Sequence, residues 1–330
     1  MQCFGTFLSV PERANLADLA LPGPRALRFL RLKRWQAMQF GDAHRFVNVA
    51  VFGAGPIALI QVKHVDWRTG RLHVFERKIP PWAMEFDDTL RGGRVAYRSR
   101  GASVTFENDW DAGTLHCRFD VPSHGHFPGA SGDLTAHTTG VTPLVSSLPF
   151  GVSSGGIERG MCAQKALMPA SGSFRLGSAS AHLEDAFAFV DHHQGYYPYR
   201  MRWDWVTGAH RDAAGRLVGV NLTRNQARDP EQFNENALWV DGAIELLPAV
   251  TFARNGTDTA ERWRVRDAAG TVDVSFQPVA ESTVNLNLGL VTSRYRGPLG
   301  PLEGHVRRSD GTRLELSGAA GMAEDFYLRV

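Results

Sequence analysis

The sequence carries almost no net charge. Lysine and arginine together number 36 and aspartate and glutamate 34, which leaves a formal charge of +2 over 330 residues. A chain with so little charge has no overall field that would concentrate nucleic acid or an anionic membrane around it. We therefore expect no nucleic-acid partner.

Cysteine pairs and long apolar runs are also missing. The three cysteines, Cys3, Cys117 and Cys162, are far apart in the sequence, which excludes a disulfide framework and fits a reducing compartment. No apolar run reaches the roughly 18 residues that span a bilayer. Residues 1–22 have none of the features of a secretory signal. The expectation is a cytoplasmic protein without a transmembrane segment.

What the sequence does contain is glycine, aromatic residues and a repeated hairpin pattern. Glycine occurs 34 times and 10% of the residues are aromatic. Turns that contain glycine recur between short runs in which apolar and polar residues alternate, a pattern typical of antiparallel sheet. The clearest pairs of runs are 57–67 with 71–78, 102–107 with 114–121, 264–266 with 271–277, and 305–307 with 312–317.

Helical periodicity is scarce. It is limited to residues 15–21, which Pro22 and Pro24 cut short, and to a second short stretch near 229–236. Many short strands without crossover helices indicate closed or face-packed antiparallel sheets, because closure removes exposed strand edges. We therefore predict an all-β fold of two consecutive antiparallel barrels or sandwiches.

A change in composition near the middle of the chain predicts where the two domains meet. Residues 146–160 are rich in serine and glycine, and Pro149 adds a break, as expected of a linker. We place the boundary near residue 150, with an N-terminal β domain at 1–150 and a C-terminal β domain at 151–330.

Two glycine motifs match loops that bind cofactors or carry nucleophiles, and both have a simpler interpretation. Gly53, Gly55 and Ala58 fit the dinucleotide pattern G-x-G-x-x-A, and Glu76 stands where a ribose-binding carboxylate would be. The β-branched residues that follow favour a hairpin over the helix that this motif needs. Residues 151–155 fit the nucleophile elbow G-x-S-x-G, but no convincing helix follows, which favours a flexible loop. No cofactor is predicted.

Histidines occur in two close pairs. His124 and His126 fall in a loop rich in proline and glycine, and His192 and His193 are adjacent. Adjacent residues on a strand point to opposite faces and cannot share a metal ion directly. No metal site is predicted.

The segment 191–205 concentrates acidic, imidazole, phenol, guanidinium and indole groups. On a strand, its last residues would form one apolar, aromatic face and one ionic face. The first face has Tyr199, Met201, Trp203 and Trp205, and the second has Arg200, Arg202 and Asp204. Two interpretations stay open: a core strand with a solvated, salt-bridged outer face, or the wall of a ligand pocket.

A second concentration of polar residues follows this segment. Asn221 lies near the end of a predicted strand, and residues 229–236 bring Glu235 and Asn236 before the next strand. Such side chains can hold a ligand at the mouth of a barrel. They can equally cap turns, which is what Asn and Asp do most often.

Short motifs occur in a characteristic order along the chain. They lie at 32–35, 195–205, 219–222, 235–236, 241–242, 261–263, 274–278, 304 and 321–324. As an ordered set over roughly residues 25–330, they resemble the bacterial domain-of-unknown-function family 2804. The sequence departs from that family at 294–297, where members tend to have a Gln before a Phe-Gly stretch.

The resemblance implies a fold more than an activity. The family is similar to the two-domain lipocalin-like proteins that include carotenoid 1,2-hydratases, which agrees with the predicted barrels. It carries no established activity of its own, and a shared fold is a weak argument for a shared function.

Two classes of function stay open, and both have a lipophilic small molecule as the partner. The first is an enzyme that acts on an unsaturated substrate by hydratase, isomerase or cyclase-type chemistry, started by a carboxylic acid that an apolar pocket keeps protonated. The second is a non-catalytic binding or carrier protein. A scaffold whose aromatic patch is a protein interface is a third alternative. The oligomeric state is left open.

Asp191 is the first candidate for the acid, because it precedes the aromatic strand, and Glu235 is the second. The alternative for both carboxylates is turn capping or a surface ion pair. Trp203 and Trp205 would stabilise a carbocation through their ring faces, and Arg202 would hold a substrate carboxylate. The groups predicted to orient water are Tyr196, Asn221 and Asn236.

Overall fold

The computed structural model describes residues 4–14, 28, 31–55, 57–150, 159–255, 261–288 and 291–329, and these ranges form two antiparallel β-sheets. The predicted all-β class is therefore confirmed. A single turn of 3₁₀ helix, Pro81–Ala83, interrupts the strands of the first sheet. Within these ranges, no helix has the length and apolar character needed to cross a membrane.

Among the described residues, the first sheet has thirteen strands. In chain order they are β1 (Gly5–Phe7), β2 (Lys33–Gly41), β3 (Arg45–Ala54), β4 (Ile57–Asp66), β5 (Arg71–Ile79), β6 (Met84–Phe86), β7 (Arg94–Ser99), β8 (Ala102–Asp109), β9 (Thr114–His124), β10 (Phe127–His137), β11 (Leu144–Phe150), β12 (Arg159–Leu176) and β13 (Ala179–Gly195). Their order in space is β5-β4-β3-β2-β13-β12-β10-β9-β8-β7-β6, with β11 paired to β1 and β12.

The second sheet has eleven strands in the same part of the chain. They are β14 (Arg200–Arg211), β15 (Leu217–Arg224), β16 (Ala237–Val240), β17 (Ala243–Leu246), β18 (Thr251–Asn255), β19 (Arg262–Arg266), β20 (Val272–Phe276), β21 (Ala280–Leu288), β22 (Val291–Arg307), β23 (Arg313–Glu315) and β24 (Ala320–Arg329). Their order is β17-β16-β15-β14-β24-β22-β20-β19-β18, with β21 and β23 also paired to β22.

All four hairpins predicted from the turn pattern are confirmed. They are the antiparallel pairs β4–β5, β8–β9, β19–β20 and β22–β23. The glycine motif at residues 53–58 also forms a hairpin, because β3 pairs with β4 and Gly55 has a φ of 62° at the turn. The G-x-S-x-G motif at 151–155 and the short helix expected at 15–21 lie outside the described residues.

The second helical expectation, near residues 229–236, is wrong. Residues 230–232 form a turn, and residues 234–236 have no regular secondary structure. The Asp229 carboxylate accepts a hydrogen bond from the Glu231 backbone N–H at 3.1 Å, and the Asn234 side chain donates to the Pro230 carbonyl at 3.0 Å. Such local hydrogen bonds from side chains to backbone compete with the hydrogen bonds of a helix.

The chain changes from the first sheet to the second between Gly195 and Arg200, not near residue 150. The Ser/Gly-rich segment that suggested a linker is flanked by β11 and β12, which pair with each other in one sheet. A serine- and glycine-rich composition indicates a loop, but it does not distinguish a loop within a sheet from a linker between sheets. The independence of the two domains stays a prediction.

Each sheet curls around its own apolar core, and the outer faces of the two sheets meet. Strand β2 shows how the sequence achieves this. Met38 and Phe40 belong to the core of the first sheet, whereas Trp35, Ala37 and Gln39 point to the opposite face. Because side chains alternate along a strand, a single strand can build a core and a second surface.

Candidate functional site

A cavity of about 320 Å³ lies between the outer faces of the two sheets. The first sheet lines it with β2 to β5, β12 and β13, and the second with β14, β21, β22 and β24. This volume is at the lower end of the range of small-molecule sites. The cavity is therefore not enclosed by either sheet alone.

The first wall of the cavity is built on three rows of cross-strand partners that run across β12, β13, β2, β3, β4 and β5, and the third row lines it only with Gln39 and Asn48. The aromatic row is Ala163, His193, Trp35, Phe52, Leu59 and Lys78. The ionic row is Lys165, Asp191, Ala37, Ala50, Gln61 and Glu76. The carboxamide row is Leu167, Phe189, Gln39, Asn48, Lys63 and Val74.

A charged cluster of Lys165, Asp191, His193 and Glu235 lies at the β12–β13 end of this wall. Lys165 Nζ donates a hydrogen bond to Asp191 Oδ1, and Glu235 Oε2 lies 3.6 Å from Lys165 Nζ. His193 Nε2 lies 2.9 Å from Asp191 Oδ1 and 3.5 Å from Glu235 Oε2. All four side chains are buried, so their charges must compensate one another.

Asp191 is held in its ionised form. Burial favours the neutral carboxyl, but the charges of Lys165 and His193 and the hydrogen bonds that both make outweigh burial and hold the pKa of Asp191 far below its ordinary value. Trp35 Nε1 donates to the other oxygen, Oδ2, at 3.0 Å. The structure thus opposes the protonated state that we predicted for Asp191. The reason is Lys165, a cross-strand partner 26 residues away in sequence.

Glu235 keeps one carboxylate oxygen available. Its Oε1 accepts a hydrogen bond from Asn225 Nδ2 at 2.8 Å, and Asn221 Nδ2 holds its backbone carbonyl at 2.6 Å. Its Oε2 is buried and accepts no hydrogen bond from any described residue, although Lys165 and His193 lie at ion-pair distance. Because buried acceptors are normally satisfied, this oxygen is suited to a ligand or a water molecule.

His193 is fixed between a ring and two carboxylates. It stacks on Trp35 with the ring centroids 4.4 Å apart. Its Nε2 faces the oxygens of Asp191 and Glu235. Its Nδ1 lies 3.2 Å from Tyr197 Oη, which donates its own proton to Met161 Sδ at 3.0 Å.

His192 points away from the cavity, as predicted for adjacent histidines on a strand. Its ring meets Phe86 edge-on, with the centroids 5.1 Å apart. Burial lowers the pKa of His192 to about 3, which keeps this ring neutral. Among the described residues, no three His, Cys, Asp or Glu side chains are arranged to hold a metal ion.

The second wall is aromatic and contains one carboxyl group. Trp203, Phe326 and Tyr295 are cross-strand neighbours on β14, β24 and β22. Glu324, two residues before Phe326, accepts hydrogen bonds from Trp203 Nε1 at 2.8 Å and from Tyr295 Oη at 3.1 Å. Each oxygen of Glu324 is therefore held by a neutral donor.

The environment of Glu324 shifts its pKa in the opposite direction to the pKa of Asp191. Its carboxyl faces the cavity instead of bulk water, and this burial raises the pKa of Glu324 above the ordinary value. The hydrogen bonds from Trp203 and Tyr295 and the charge of Lys63 act against burial but do not cancel it. One cavity thus contains a carboxyl group shifted towards the neutral acid and another held as the anion.

Lys63 lies behind Tyr295. Its Nζ donates to Tyr295 Oη at 2.6 Å and is 4.7 Å from the centroid of that ring. The side chain is completely buried, and burial lowers the pKa of Lys63 to about 8. Lys63, Tyr295 and Glu324 therefore form a chain of hydrogen bonds that ends at the carboxyl group.

We expect Lys63→Met to remove a pH dependence of stability between about pH 8 and 10.5. In this window the unfolded chain keeps the lysine proton and the folded chain loses it, so stability should rise with pH. The wild type should gain up to about 3 kcal/mol of unfolding free energy relative to the variant. Urea unfolding at a series of pH values measures this gain. Lys78→Met, at an exposed lysine on β5, is the matched control, and parallel curves for wild type and Lys63→Met would contradict the assignment.

On β14, Trp203 and Trp205 point to the cavity, and Asp204 lies on the other face in ion pairs with Arg224 and Arg254, as predicted. Tyr199, predicted on the aromatic face, lies before the strand and is exposed. Trp203 stacks on Trp35 and Phe326, and Lys165 Nζ lies 5.0 Å from the ring centroid of Trp205. Arg202 is exposed at the mouth of the cavity.

Three of the predicted site residues do not line the cavity. Tyr196 packs with Phe4, Ala14 and Leu32, and the next residue, Tyr197, lines the cavity in its place. Asn221 lies behind the wall and accepts a hydrogen bond from Trp205 Nε1 at 2.7 Å. Asn236 accepts from the Thr223 backbone N–H at 2.6 Å and donates to the Pro248 carbonyl at 2.8 Å. Both asparagines position other residues.

Sequence reasoning missed several residues of the site, namely Trp35, Lys63, Lys165, His193, Tyr295 and Glu324. For two of them the sequence contains a signal. Lys165 is the only charged residue between 160 and 174, and Lys63 interrupts the apolar side chains of β4. An isolated charge in a strand that is otherwise buried requires a partner. Glu324 has no such signal, because it stands beside another acidic residue, Asp325, and so is not an isolated charge.

Comparisons with known proteins give a family and a fold. A family model described as "Domain of unknown function (DUF2804)" matches residues 2–329. No curated protein matches the sequence at a significant level. The crystal structure of CghA with Sch210972 is similar with a TM-score of 0.57 and 13% identity, over 99% of this chain and 98% of that chain. Kievitone hydratase from Nectria haematococca is similar with a TM-score of 0.51 and 12% identity, over 98% of both chains. Both are lipocalin-like proteins with two barrels, and the likeness is one of fold.

Proposed function

The chain belongs to the DUF2804 family, a domain of unknown function, and from this premise we propose that it is an enzyme that acts on a lipophilic, unsaturated small molecule by acid–base catalysis. The reaction would be a hydration, an isomerisation or a cyclisation. The protein's similarity in fold to a hydratase agrees with this proposal.

The observation that carries the proposal is that two carboxyl groups suited to opposite roles line one cavity. Burial raises the pKa of Glu324 and shifts it towards the neutral acid, and Glu235 Oε2 accepts no hydrogen bond from a described residue. A carboxyl group that its environment keeps protonated, beside a second carboxyl that can take up a proton, is the usual signature of an acid and a base in one active site. A protein that only binds an apolar ligand has no need of this arrangement.

In the first step, Glu324 gives its proton to one carbon of the substrate double bond. A C–H bond forms, the carboxyl becomes a carboxylate, and positive charge develops on the adjacent carbon. Trp203 and Tyr295 hydrogen-bond to the two oxygens of Glu324 and would stabilise the carboxylate as it forms. Tyr295 and Lys63 would return a proton to it along their hydrogen bonds.

In the second step, Glu235 Oε2 accepts a proton. For a hydration, the proton comes from a water molecule whose oxygen bonds to the cationic carbon; for an isomerisation, it comes from a neighbouring C–H bond. This role is supported by the absence of any hydrogen bond to Oε2 from the described residues. Asp191 would not transfer a proton, and its role would be to hold Lys165 and His193 beside Glu235.

Proton transfer to carbon can be tested without knowing the physiological substrate. The protein is incubated in D₂O with a panel of neutral alkenes and enones that fit a cavity of about 320 Å³, and mass spectrometry follows the gain of deuterium or of D₂O. We expect at least one compound to gain label with the wild type and not with protein denatured by heat.

A second outcome would identify the alternative function. If native mass spectrometry shows that compounds are bound, and all of them are recovered without label, the enzyme proposal fails. The protein would then be a non-catalytic carrier of the same class of molecule.

A further inference from the structure

Two side-chain amides stand next to each other in the carboxamide row. Gln39 on β2 and Asn48 on β3 are cross-strand partners, and both line the cavity. Their exposed fractions are 1% and 3%. Polar side chains buried to this degree in an apolar wall need hydrogen-bond partners.

The protein supplies hardly any such partners. Gln39 Oε1 is buried and accepts no hydrogen bond from a described residue, and Gln39 Nε2 meets only the Met322 sulfur at 3.5 Å. Asn48, the cross-strand partner of Gln39, adds a second amide that lines the same cavity. Leaving a buried polar atom such as Gln39 Oε1 unsatisfied destabilises a fold, so its presence points to a partner that comes from outside the chain.

We infer that Gln39 and Asn48 form a subsite for a neutral hydroxyl or carbonyl group on an otherwise lipophilic substrate. Two amides can both donate and accept hydrogen bonds, which suits either group. They carry no charge to balance a carboxylate. The lysine in the same row, Lys63, already donates to Tyr295.

The strand geometry gives the distance between this subsite and the reacting groups. On the second wall, Met322 lies two residues along β24 from Glu324 and contacts Gln39. Two residues of a strand span about 6.6 Å. The substrate would therefore carry its polar group roughly 6–7 Å from the double bond.

The substrate distance rests on the proposed function, but the subsite can be tested by binding alone. We choose 2-naphthol and 2-methylnaphthalene as probes, because they have nearly the same shape and differ in a hydroxyl and a methyl group. Equilibrium dialysis gives both dissociation constants. In the Gln39→Met/Asn48→Leu variant, the dissociation constant of 2-naphthol divided by that of 2-methylnaphthalene should be about tenfold higher than in the wild type.

Gln61→Met is the matched control. Gln61 is another amide in the cavity wall, but its Nε2 already donates to Glu76 Oε2 at 2.9 Å. This variant should leave the ratio of the two constants unchanged. The single variant Gln39→Met should melt at or above the wild-type temperature, because it keeps the shape of the side chain and removes an unsatisfied group.

An unchanged ratio in the double variant would overturn the inference, as would the same shift in Gln61→Met. If the ratio shifts as expected but no compound gains deuterium, the subsite stands and the proposed enzyme activity fails. If the wild type binds neither probe, the cavity is not a site for such molecules, and both proposals fail together.

Discussion

Glu324→Gln should reduce the turnover of any substrate found by the deuterium assay about 10²–10⁴-fold, the usual contribution of a general acid. Glutamine keeps the length and shape of the side chain but has no proton to give to carbon. Ligand affinity should stay within about threefold, because the amide can still make one of the two hydrogen bonds. Single-turnover kinetics and equilibrium dialysis measure the two effects separately.

The pH profile provides a second test of Glu324. Because burial raises its pKa, the wild type should keep the neutral acid to a higher pH than an ordinary glutamate would, and turnover should fall as the pH passes that value. The residual activity of Glu324→Gln should lack this step. Glu303→Gln, on exposed Glu303 of β22, is the matched control. Wild-type turnover in Glu324→Gln would remove this residue from the mechanism.

Lys165→Met should destabilise the protein by about 3–5 kcal/mol, the loss seen when one partner of a buried ion pair is removed. Lys165 is 4% exposed and compensates two buried carboxylates, Asp191 and Glu235. Burial alone would lower the pKa of Lys165, but these two carboxylates outweigh burial and raise it. Methionine fills most of the space and leaves both carboxylates without the ammonium group. Urea unfolding at neutral pH measures the loss.

The pH dependence of this loss separates an electrostatic cause from a packing cause. In Lys165→Met, the unpaired carboxylates should bind protons as the pH falls, so the difference from the wild type should shrink between about pH 7 and 4. The double variant Lys165→Met/Asp191→Asn, which removes both charges of the pair, should recover part of the loss. A difference that does not change with pH would point to a cavity in the packing and contradict the charge argument.

The sequence was sufficient for the fold class and for the hairpins, since both depend on local patterns. Alternating side chains and a glycine turn determine a hairpin within about 20 residues, and the four that we predicted are present. The same alternation placed Trp203 and Trp205 on one face of β14. It could not reveal that this face is covered by the first sheet.

The site could not be predicted from local patterns, because the side chains that interact in it are distant in sequence. Trp35 and Asp191 are 156 residues apart and Lys63 and Tyr295 are 232 apart, yet each pair shares a hydrogen bond. The protonation of Asp191 depends on Lys165 across a strand pair. From the sequence, an acid beside aromatic residues looks like a buried neutral carboxyl group, and only the register shows the cation beside it.

The order of the strands along the chain means that the two walls of the cavity are synthesised one after the other. Among the described residues, every strand of the first sheet ends by Gly195, and every strand of the second begins at Arg200 or later. Because nascent chains fold domain by domain from the N-terminus, the first sheet can close while the second is still being made. We predict that Trp35 and Phe52 face water until the second sheet docks. The nascent protein would then present an aromatic patch that the finished protein covers, and during that interval it would be most exposed to aggregation and to capture by chaperones.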